Sequence, residues 1–336
     1  MKENVILVDF KADDNWEFSE ILESITHEKW RVHEVVSNKN QGGKVQNIVR
    51  YMKYFLAPVT IAIHKNRYSK VLAWQQFYGL ILAFYLRLFR VKNTPQIVVM
   101  TFIYKPKKSL VGRVYNKFIR YIVTSGYINS FIVFSESEKL YYSELFNVAE
   151  GLFVPVRLGC EDVSQIVESQ TGGEFYLAAG RSNRDYDYLI NSWKNRTELL
   201  EIICDSIEDV EYSNIKILTN CYGEDFLREL SRAYAVIIPL EDSNISSGQL
   251  VAIQAMIYGK PVIATRNDTI CDYIKDNYNG LVIDKTQDAL NEAISKLEDK
   301  NYYNMISING RKSYEKYYSM NAMARKIGEL LKQQAE

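Results

Sequence analysis

The chain has 336 residues, of which 47% are hydrophobic and 24% are charged, a balance that excludes a disordered protein. This length suits two domains of roughly 150 residues each. The net charge at pH 7 is zero, but its distribution is uneven: no Asp or Glu occurs between Val35 and Ser135, where 16 Lys and Arg occur. The rest of the chain therefore carries 25 basic residues against all 41 acids. We expect an anionic surface or substrate beside the first half.

The first half alternates short apolar segments with stretches of helical spacing, which indicates parallel strands covered by helices. Ser135 and Glu138 have the spacing of a capping box at a strand-to-helix junction. The apolar run from Val71 to Leu86 is too short to span a membrane and predicts a buried strand followed by a buried helix. The predicted strands are Asn4–Phe10, Trp30–Ser37, Val71–Trp74, Gln96–Tyr104, Phe131–Phe134 and Gly151–Val156. The predicted helices are Val45–Leu56, Phe77–Phe89, Leu110–Val123 and one that runs from Ser135 to about Phe146.

The second half repeats this alternation after a polar stretch, residues 161–173, that predicts a linker. We therefore predict two Rossmann-like α/β domains, residues 1–160 and 174–315, followed by a C-terminal helix within residues 316–336. Ligands are expected at the carboxyl ends of the strands. The predicted strands are Phe175–Ala179, Leu199–Ile203, Ile215–Leu218, Ala235–Pro239, Pro261–Ala264 and Gly280–Ile283. The predicted helices are Tyr186–Trp193, Glu224–Ala233, Gln249–Tyr258, Asp288–Leu297 and Met320–Gln334.

The most informative segment, residues 237–265, predicts a strand, a loop of small polar residues, a helix, a glycine turn and a second strand. The loop from Ser243 to Gly248 directs backbone N–H groups and the positive end of the following helix to one spot, which suits a phosphate group. Gly248 would let a ligand approach the backbone closely. An ordinary βαβ turn with two serines as helix caps fits the same residues equally well.

Residues 254–265 (QAMIYGKPVIAT) resemble the E-A-M-A-x-G-x-P-V-I-A-T stretch of the GT-B glycosyltransferases, in particular family four. Three further segments resemble that family in the same order: residues 134–139 (FSESEK), 179–181 (AGR) and 221–230 (CYGEDFLREL). Together the four segments cover about the last two thirds of the chain. The resemblance implies the GT-B fold, in which two Rossmann-like domains with parallel sheets face a central cleft. In that fold the C-terminal helix can cross back to the N-terminal domain.

The resemblance also implies a function, that of a glycosyltransferase of the hexosyltransferase type. It would move a sugar from a nucleotide-sugar, with UDP favoured, to a glycan or lipid-linked acceptor in the synthesis of a bacterial surface polysaccharide. Residues 1–160 would bind the acceptor and residues 174–315 the donor. We expect retention of configuration, because no general base is evident and the departing diphosphate can take the acceptor proton. No metal or other cofactor is expected, since Asp185-Tyr-Asp187 is interpreted as a charge pair at a helix N-terminus.

The candidate site residues follow from the aligned positions. Arg181 and Arg184 would act in catalysis by gripping the donor diphosphate, with Arg184 in place of the family's Lys. The alternative for Arg184 is a surface ion pair with Asp185. The two glutamates that the family places eight residues apart correspond to Ser246 and Gln254, so both carboxylates are missing, although Gln can still bind ribose hydroxyls. The candidate donor-binding residues are Gly180, Tyr222, Gly223, Ser246, Ser247, Gly248, Gln249, Leu250 and Gln254.

A basic cluster around the predicted helix Leu110–Val123 is the candidate acceptor and membrane site. Basic and apolar residues fall on separate stripes of this helix, as in a helix that lies on an anionic membrane surface. The alternative is an ordinary amphipathic helix with a solvated basic face. The cluster consists of Lys105, Lys107, Lys108, Arg113, Lys117 and Arg120, with Leu110, Val114, Phe118 and Ile122 on the apolar stripe.

The expected location is the cytoplasm, with the inner face of the cell membrane as a peripheral location. The four cysteines form no C-x-x-C pair, which favours a reducing compartment, and the first ten residues show no signal-peptide pattern. Two other functions remain open. A non-catalytic GT-B partner subunit would explain the missing carboxylates, whereas a nucleotide-sugar epimerase would need acids and histidines that are scarce here. Nucleic acid is not an expected partner, because no recognised binding module appears.

Overall fold

The computed structural model describes residues 2–35, 44–168, 170, 173, 175–241 and 246–333. The chain divides into two compact units: unit 1 comprises Met1–Val156 with Ala324–Glu336, and unit 2 comprises Arg157–Met323. Each unit contains a six-stranded sheet whose described strand pairs are all parallel. The α/β fold class predicted from the sequence is confirmed.

The sheet of unit 1 has the strand order β2-β1-β3-β4-β5-β6. Its strands are near-continuous apolar runs because helices cover both faces; Ile6, Leu7 and Val8 of β1, for example, are fully buried. The strands are β1 (Glu3–Val8), β2 (Trp30–Glu34), β3 (Tyr68–Ala73), β4 (Gln96–Val99), β5 (Ser130–Val133) and β6 (Phe153–Pro155). The helices between them are α1 (Glu17–Thr26), α2 (Lys44–Ile63), α3 (Gln76–Leu88), α4 (Leu110–Val123) and α5 (Glu136–Phe146).

The helices α2, α3 and α4 form one layer on unit 1, which we call the helix layer. Right-handed crossovers from β2 to β3, β4 and β5 place all three on the same face of the sheet, opposite α1. Aromatic contacts join the neighbours: the rings of Tyr54 and Phe77 stack at 5.7 Å between α2 and α3, and those of Phe84 and Phe118 lie 5.6 Å apart between α3 and α4. The last helix, α11 (Met320–Gln333), packs against α1, where Gly328 contacts Ile25.

The sheet of unit 2 has the order β12-β11-β10-β7-β8-β9. Its core includes the fully buried Trp193, whose ring lies 5.0 Å from that of Tyr176. The strands are β7 (Phe175–Ala179), β8 (Leu199–Ile203), β9 (Ile215–Leu218), β10 (Ala235–Ile238), β11 (Val262–Thr265) and β12 (Leu281–Ile283). The helices are α6 (Tyr186–Trp193), α7 (Glu224–Arg232), α8 (Gln249–Ile257), α9 (Gln287–Glu298) and α10 (Lys300–Ser313), and a π-helical turn, Tyr314–Tyr318, leads into α11.

Several predicted elements change length in the structure. The strand predicted to run to Tyr104 ends at Val99, because the chain turns away through Thr101, whose φ is +58°. The helix predicted over Val45–Leu56 continues to Ile63 with Pro58 inside it. The second strand ends at Glu34, and Ser37, the last residue predicted for it, lies outside the described residues. Helix α10 is not anticipated by the sequence patterns.

Two local predictions are confirmed. Ser135 caps α5 by accepting a hydrogen bond from the N–H of Glu138 at 3.1 Å, and the Glu138 carboxylate accepts one from the N–H of Phe134 at 2.9 Å. The apolar run from Val71 to Leu86 forms most of β3 and α3. Within the described residues, no helix is long and apolar enough to cross a membrane.

The segment predicted as a linker, residues 161–173, is anchored on unit 2 where it is described. Asp162 forms an ion pair with Arg311 at 2.6 Å, and the carbonyl of Val163 accepts a hydrogen bond from the Tyr258 hydroxyl at 3.0 Å. Burial alone would raise the pKa of Asp162. The hydrogen bonds to Arg311 and Ser164 lower it by more, so the pKa of Asp162 lies below its usual value.

Candidate donor-binding site

The candidate donor-binding residues lie at one edge of the sheet of unit 2. Residues 180–184 follow β7, residues 222–223 follow β9, and residues 246–254 follow β10. The carboxyl ends of parallel strands meet at the same edge, and β7 and β10 are hydrogen-bonded neighbours. Residues 243–245 of the predicted phosphate loop lie outside the described residues.

Gly180 starts a tight turn that folds Arg184 back onto the end of β7. Its φ is +114°, and a Cβ atom at this position would lie 2.8 Å from Nη2 of Arg184. The positive φ favours glycine here, and a larger residue would also displace the guanidinium. The Arg184 guanidinium donates from Nε to the carbonyl of Ala179 at 3.0 Å and from Nη1 to the carbonyl of Ser182 at 2.9 Å. The turn therefore holds the guanidinium in one orientation.

The same guanidinium reaches the loop after β10. Nη1 of Arg184 donates to Oγ of Ser247 at 2.8 Å, and that hydroxyl donates to the carbonyl of Ser182 at 2.9 Å. Burial lowers the pKa of Arg184, while Tyr186 and Cys204 act in the opposite direction. A guanidinium nevertheless stays protonated in proteins. The Nη2 group, with its two N–H donors, makes no hydrogen bond to any described residue.

The alternative ion pair between Arg184 and Asp185 is not formed. Asp185 instead pairs with Lys285 at 2.8 Å and caps α6 by accepting from the N–H of Tyr188 at 2.9 Å. Asp187 lies in the first turn of the same helix, which confirms the interpretation of Asp185-Tyr-Asp187 as helix N-terminal charges. Arg184 consequently has no carboxylate partner among the described residues, and the partial burial of an unneutralised cation favours binding of an anion.

The N-terminus of α8 opens beside this cation. Gly248 precedes the helix with φ +90°, and a Cβ atom there would lie 2.8 Å from Cγ2 of Ile238 on β10, so glycine is needed for the helix to start this close to the sheet. The N–H groups of Gln249, Leu250 and Val251 have no partner within the helix, and no described side chain caps them. Ser247 links this N-terminus to Arg184, which gives a site with the positive charge and N–H donors that a phosphate needs.

Gln249 supports the loop and is not displayed on the surface. It is buried, and its Nε2 donates to Oγ of Ser246 at 2.7 Å and to Oγ1 of Thr269 at 3.3 Å. Thr269 belongs to a turn after β11 in which Asn267 Oδ1 accepts from the N–H groups of Thr269 and Ile270 at 2.9 and 3.1 Å. The sequence reasoning missed this turn; its signal is the Asn-Asp-Thr run that begins three residues after the end of a predicted strand.

Leu250 and Gln254 are on the accessible side of α8. They lie one helical turn apart; the Leu250 side chain is exposed and Gln254 is half-buried. The Gln254 side chain makes no hydrogen bond to a described residue. Its amide is therefore free to bind hydroxyl groups of a ligand.

Tyr222 presents an exposed ring at the end of β9. Its hydroxyl donates to Oδ2 of Asp205, and Oδ1 of the same carboxylate accepts from the N–H of Asn220 at 2.8 Å. Asp205, which follows β8, was missed by the sequence reasoning, and it fixes the position of the ring. Gly223 is the N-cap residue of α7. Arg181, in contrast, is exposed and makes no contact with described residues that would orient it.

The basic cluster of unit 1 surrounds the first turns of α4. Ser109 caps this helix by accepting from the N–H of Gly112 at 3.0 Å. The apolar stripe is buried only in its second half: Ile122 is fully buried, whereas Leu110 and Val114 are 78% and 68% exposed. Exposed apolar and basic residues therefore share the start of α4. We call this surface the α4 patch; its members are Lys105, Lys107, Lys108, Leu110, Val111, Arg113, Val114 and Lys117.

Arg120 does not belong to the α4 patch. Its Nη2 donates to the carbonyl of Leu145 at 2.6 Å and its Nη1 to the carbonyl of Phe146 at 3.2 Å. The guanidinium thus satisfies carbonyls at the C-terminus of α5, where a cation is favoured. A role of Arg120 in packing is what these contacts support.

Residues 196–313 match the family described as "Glycosyl transferases group 1". The matched residues all lie within unit 2. None of the curated proteins matches the sequence. The chain is similar in structure to sucrose-phosphate synthase from Thermosynechococcus elongatus, with 15% identity, 99% of both chains covered and a TM-score of 0.70. It is also similar to HepE from Anabaena in complex with UDP-glucose, with 12% identity, 99% of this chain and 100% of that chain covered and a TM-score of 0.66. A third similar structure is that of a glycosyltransferase from Rickettsia africae, with 14% identity, 100% of this chain and 99% of that chain covered and a TM-score of 0.67.

These likenesses extend over both sheets and show a GT-B-like fold. The match of residues 196–313 and this fold together support a glycosyltransferase, as the resemblance of the sequence implies. The replacement of the paired glutamates by Ser246 and Gln254, and the roles of individual site residues, stay predictions.

Proposed function

We propose that this glycosyltransferase moves a sugar from a nucleotide-sugar, with UDP favoured, to a glycan or lipid-linked acceptor during the synthesis of a surface polysaccharide. The observation that carries the proposal is the Arg184 guanidinium, a partly buried cation with no carboxylate partner among the described residues, placed beside the open N-terminus of α8. A diphosphate complements this arrangement in charge and in hydrogen-bonding capacity. The similar structure of HepE with UDP-glucose supports UDP as the carrier.

In the proposed complex, the two N–H donors of Arg184 Nη2 and the first N–H groups of α8 bind the diphosphate. Gln254 binds the ribose hydroxyls, and the Tyr222 ring lies against the base. Arg181 is exposed at the same edge and can turn toward the phosphates. The acceptor binds in unit 1.

The proposed transfer retains the configuration of the sugar. The bond between the anomeric carbon and the diphosphate oxygen breaks, the acceptor oxygen bonds to the same carbon from the same side, and its proton passes to the departing phosphate oxygen. Positive charge around the leaving group stabilises the transition state. With Ser246 and Gln254 in place of carboxylates, that stabilisation comes from Arg184, Arg181 and the α8 N-terminus. No metal is needed in this mechanism.

The binding part of the proposal is tested by calorimetry with uridine, UMP, UDP and GDP. If the diphosphate carries the affinity, UDP binds at least 100-fold more tightly than uridine. Equal binding of uridine and UDP, or no binding of any nucleotide, would contradict the proposed site. Incubation with labelled UDP-sugars and a lipid-linked acceptor then tests turnover. Tight UDP binding without any transfer would favour the non-catalytic partner subunit.

We also propose that the α4 patch attaches the enzyme to the anionic inner face of the cell membrane, where a lipid-linked acceptor resides. Each Lys or Arg near such a surface contributes about 1 kcal/mol of attraction. A variant with Lys107, Lys108, Arg113 and Lys117 replaced by Gln is expected to leave anionic vesicles in a sedimentation assay. Unchanged sedimentation would contradict this attachment. The matched control carries Gln at four exposed lysines of unit 2: Lys194, Lys275, Lys300 and Lys312.

A further inference from the structure

A second exposed apolar surface lies at the opposite end of the helix layer, where α2, α3 and α4 end. Ile63 is the last residue of α2 and is 70% exposed; Leu88 and Phe89 at the end of α3 are 53% and 70% exposed; Tyr121 near the end of α4 is 39% exposed. We call these four residues the amino-end patch, because they lie at the amino ends of the strands. Single exposed apolar residues are common, but four large ones at adjoining helix ends are not.

Contacts between the helix ends show that the amino-end patch is continuous. The ammonium group of Lys65, two residues after α2, donates to the carbonyl of Lys92, which follows α3. The guanidinium of Arg87 lies 3.8 Å from the ring centre of Tyr121 and donates to the carbonyl of the same residue. These contacts hold the ends of the three helices side by side.

The apolar surface continues from this patch along the outer side of α2. Met52, Phe55 and Leu56 are 55%, 47% and 58% exposed, whereas Tyr54 and Ile61 on the inner side are buried. The spacing of the exposed residues is that of one stripe on a helix. Met52 and Ile63 are 11 residues apart on α2, which is about 17 Å of helix, so the stripe and the patch form an elongated surface along the helix layer.

The charged residues that the helix layer itself contributes to this surface are all basic. Arg67, Arg90 and Lys92 are exposed around the amino-end patch, with Lys65 half-buried beside them. No Asp or Glu occurs anywhere between residues 35 and 135, which include the whole helix layer. A face on which the helices offer large apolar side chains and positive charge is complementary to an anionic lipid surface, which has phosphate groups above an apolar interior.

We propose that the outer side of the helix layer is a membrane-docking face, and that the amino-end patch and the α2 stripe enter the interfacial region of an anionic bilayer. The proposal extends the membrane attachment proposed for the α4 patch to a separate surface and does not depend on the donor site. The two patches lie at opposite ends of α4, about 21 Å apart for its 14 residues. Contact at both ends fixes the angle between the helix layer and the membrane.

The test places a fluorescent reporter in the patch. In F89W, the new tryptophan is expected to shift its emission to shorter wavelength on vesicles containing phosphatidylglycerol and to be quenched by lipids brominated near the headgroup. The matched control is I308W, because Ile308 is 54% exposed on α10 of unit 2, and it is expected to show neither change. The native tryptophans contribute the same background to both variants, and the spectrum of the unsubstituted protein is subtracted.

A second variant, I63S/F89S, measures the contribution to affinity. It is expected to bind the same vesicles at least tenfold more weakly, with unchanged affinity for UDP. Vesicle binding that leaves F89W unquenched, or unchanged vesicle affinity of I63S/F89S, would overturn the proposal. A concentration-dependent shift of F89W without vesicles would overturn it in favour of a second copy of the chain. If UDP fails to bind but F89W is quenched, the donor site is wrong and the docking face stands.

Discussion

Replacing Arg184 by Met separates binding of the donor diphosphate from stability of the fold. Met has a similar length and no charge, so R184M removes the guanidinium and leaves the turn after Gly180 with a side chain to pack. In the free protein the change has opposing effects. Three hydrogen bonds are lost, but so is a partly buried cation that has no carboxylate partner in the part of the chain that the structure describes. We expect the free energy of unfolding to change by no more than about 2 kcal/mol.

The effect of R184M on UDP binding should be larger than its effect on stability, and every contribution to it should weaken binding. Nη2 of Arg184 has two N–H donors available, and a hydrogen bond that involves a charged group contributes about 1.5–3 kcal/mol. Loss of one bidentate contact to phosphate, taken as about 3 kcal/mol in total, raises the Kd for UDP about 150-fold. The affinity for uridine, which has no phosphate, should stay within about twofold, a difference of less than 0.5 kcal/mol.

Isothermal titration calorimetry of UDP and uridine, with unfolding by urea in parallel, measures both quantities. The matched control is R228M, because Arg228 is an exposed arginine of α7 that pairs with Asp225 at 2.9 Å and is not one of the candidate site residues. A Kd for UDP that changes less than threefold in R184M, while the control behaves like the unsubstituted protein, would refute the assignment of Arg184 to the diphosphate.

Three further predictions follow from single residues. G248A should lower the free energy of unfolding by about 1–3 kcal/mol in urea denaturation, because φ is +90° and Cβ would lie 2.8 Å from Ile238; an unchanged midpoint would contradict the geometry. Burial lowers the pKa of Lys260 to about 8. Between about pH 8 and pH 10.5 the unfolded chain therefore binds more protons than the folded one. The free energy of unfolding rises with pH in this range, by at most about 3 kcal/mol. The free energy of unfolding of K260M should not show this rise with pH. Identical pH profiles for K260M and the unsubstituted protein would contradict the lowered pKa of Lys260. Y222A should weaken UDP binding by about 1–3 kcal/mol through loss of stacking, and Y222F, which loses only the bond to Asp205, by less; equal losses in calorimetry would argue against a stacked base.

The strands could be predicted because burial on both faces makes them short apolar runs, and Ser135 with Glu138 marked a helix start by spacing alone. Helix α10 could not be predicted, because the residues that it buries are Ile306, Gly310 and Ser313. Two of the three are small or polar, so no apolar period appears in the sequence. The early end of β4 depends on the positive φ of Thr101, a conformation that the residue type does not announce.

The candidate site shows the same division. The position of Arg184 after a predicted strand could be taken from the sequence, and so could the glycine before α8. The absence of an ion pair between Arg184 and Asp185 could not be predicted, because it depends on Asp185 turning to Lys285, a residue 100 positions away. Gln249 points inward because Thr269, from another loop, lies within hydrogen-bonding distance. Such pairings between distant segments arise only from the packed sheet.

The composition of unit 1 from two stretches of chain has a consequence for biosynthesis. Unit 2 is continuous and can fold as soon as residue 323 has emerged from the ribosome. Unit 1 needs the end of α11, whose Ala324, Ile327 and Leu331 are fully buried and whose Gly328 rests on Ile25 of α1. The domain that is translated first is therefore the one that is completed last, and its α1 side remains uncovered while all of unit 2 is made. A chaperone that binds nascent chains would find its apolar target on α1 throughout that interval.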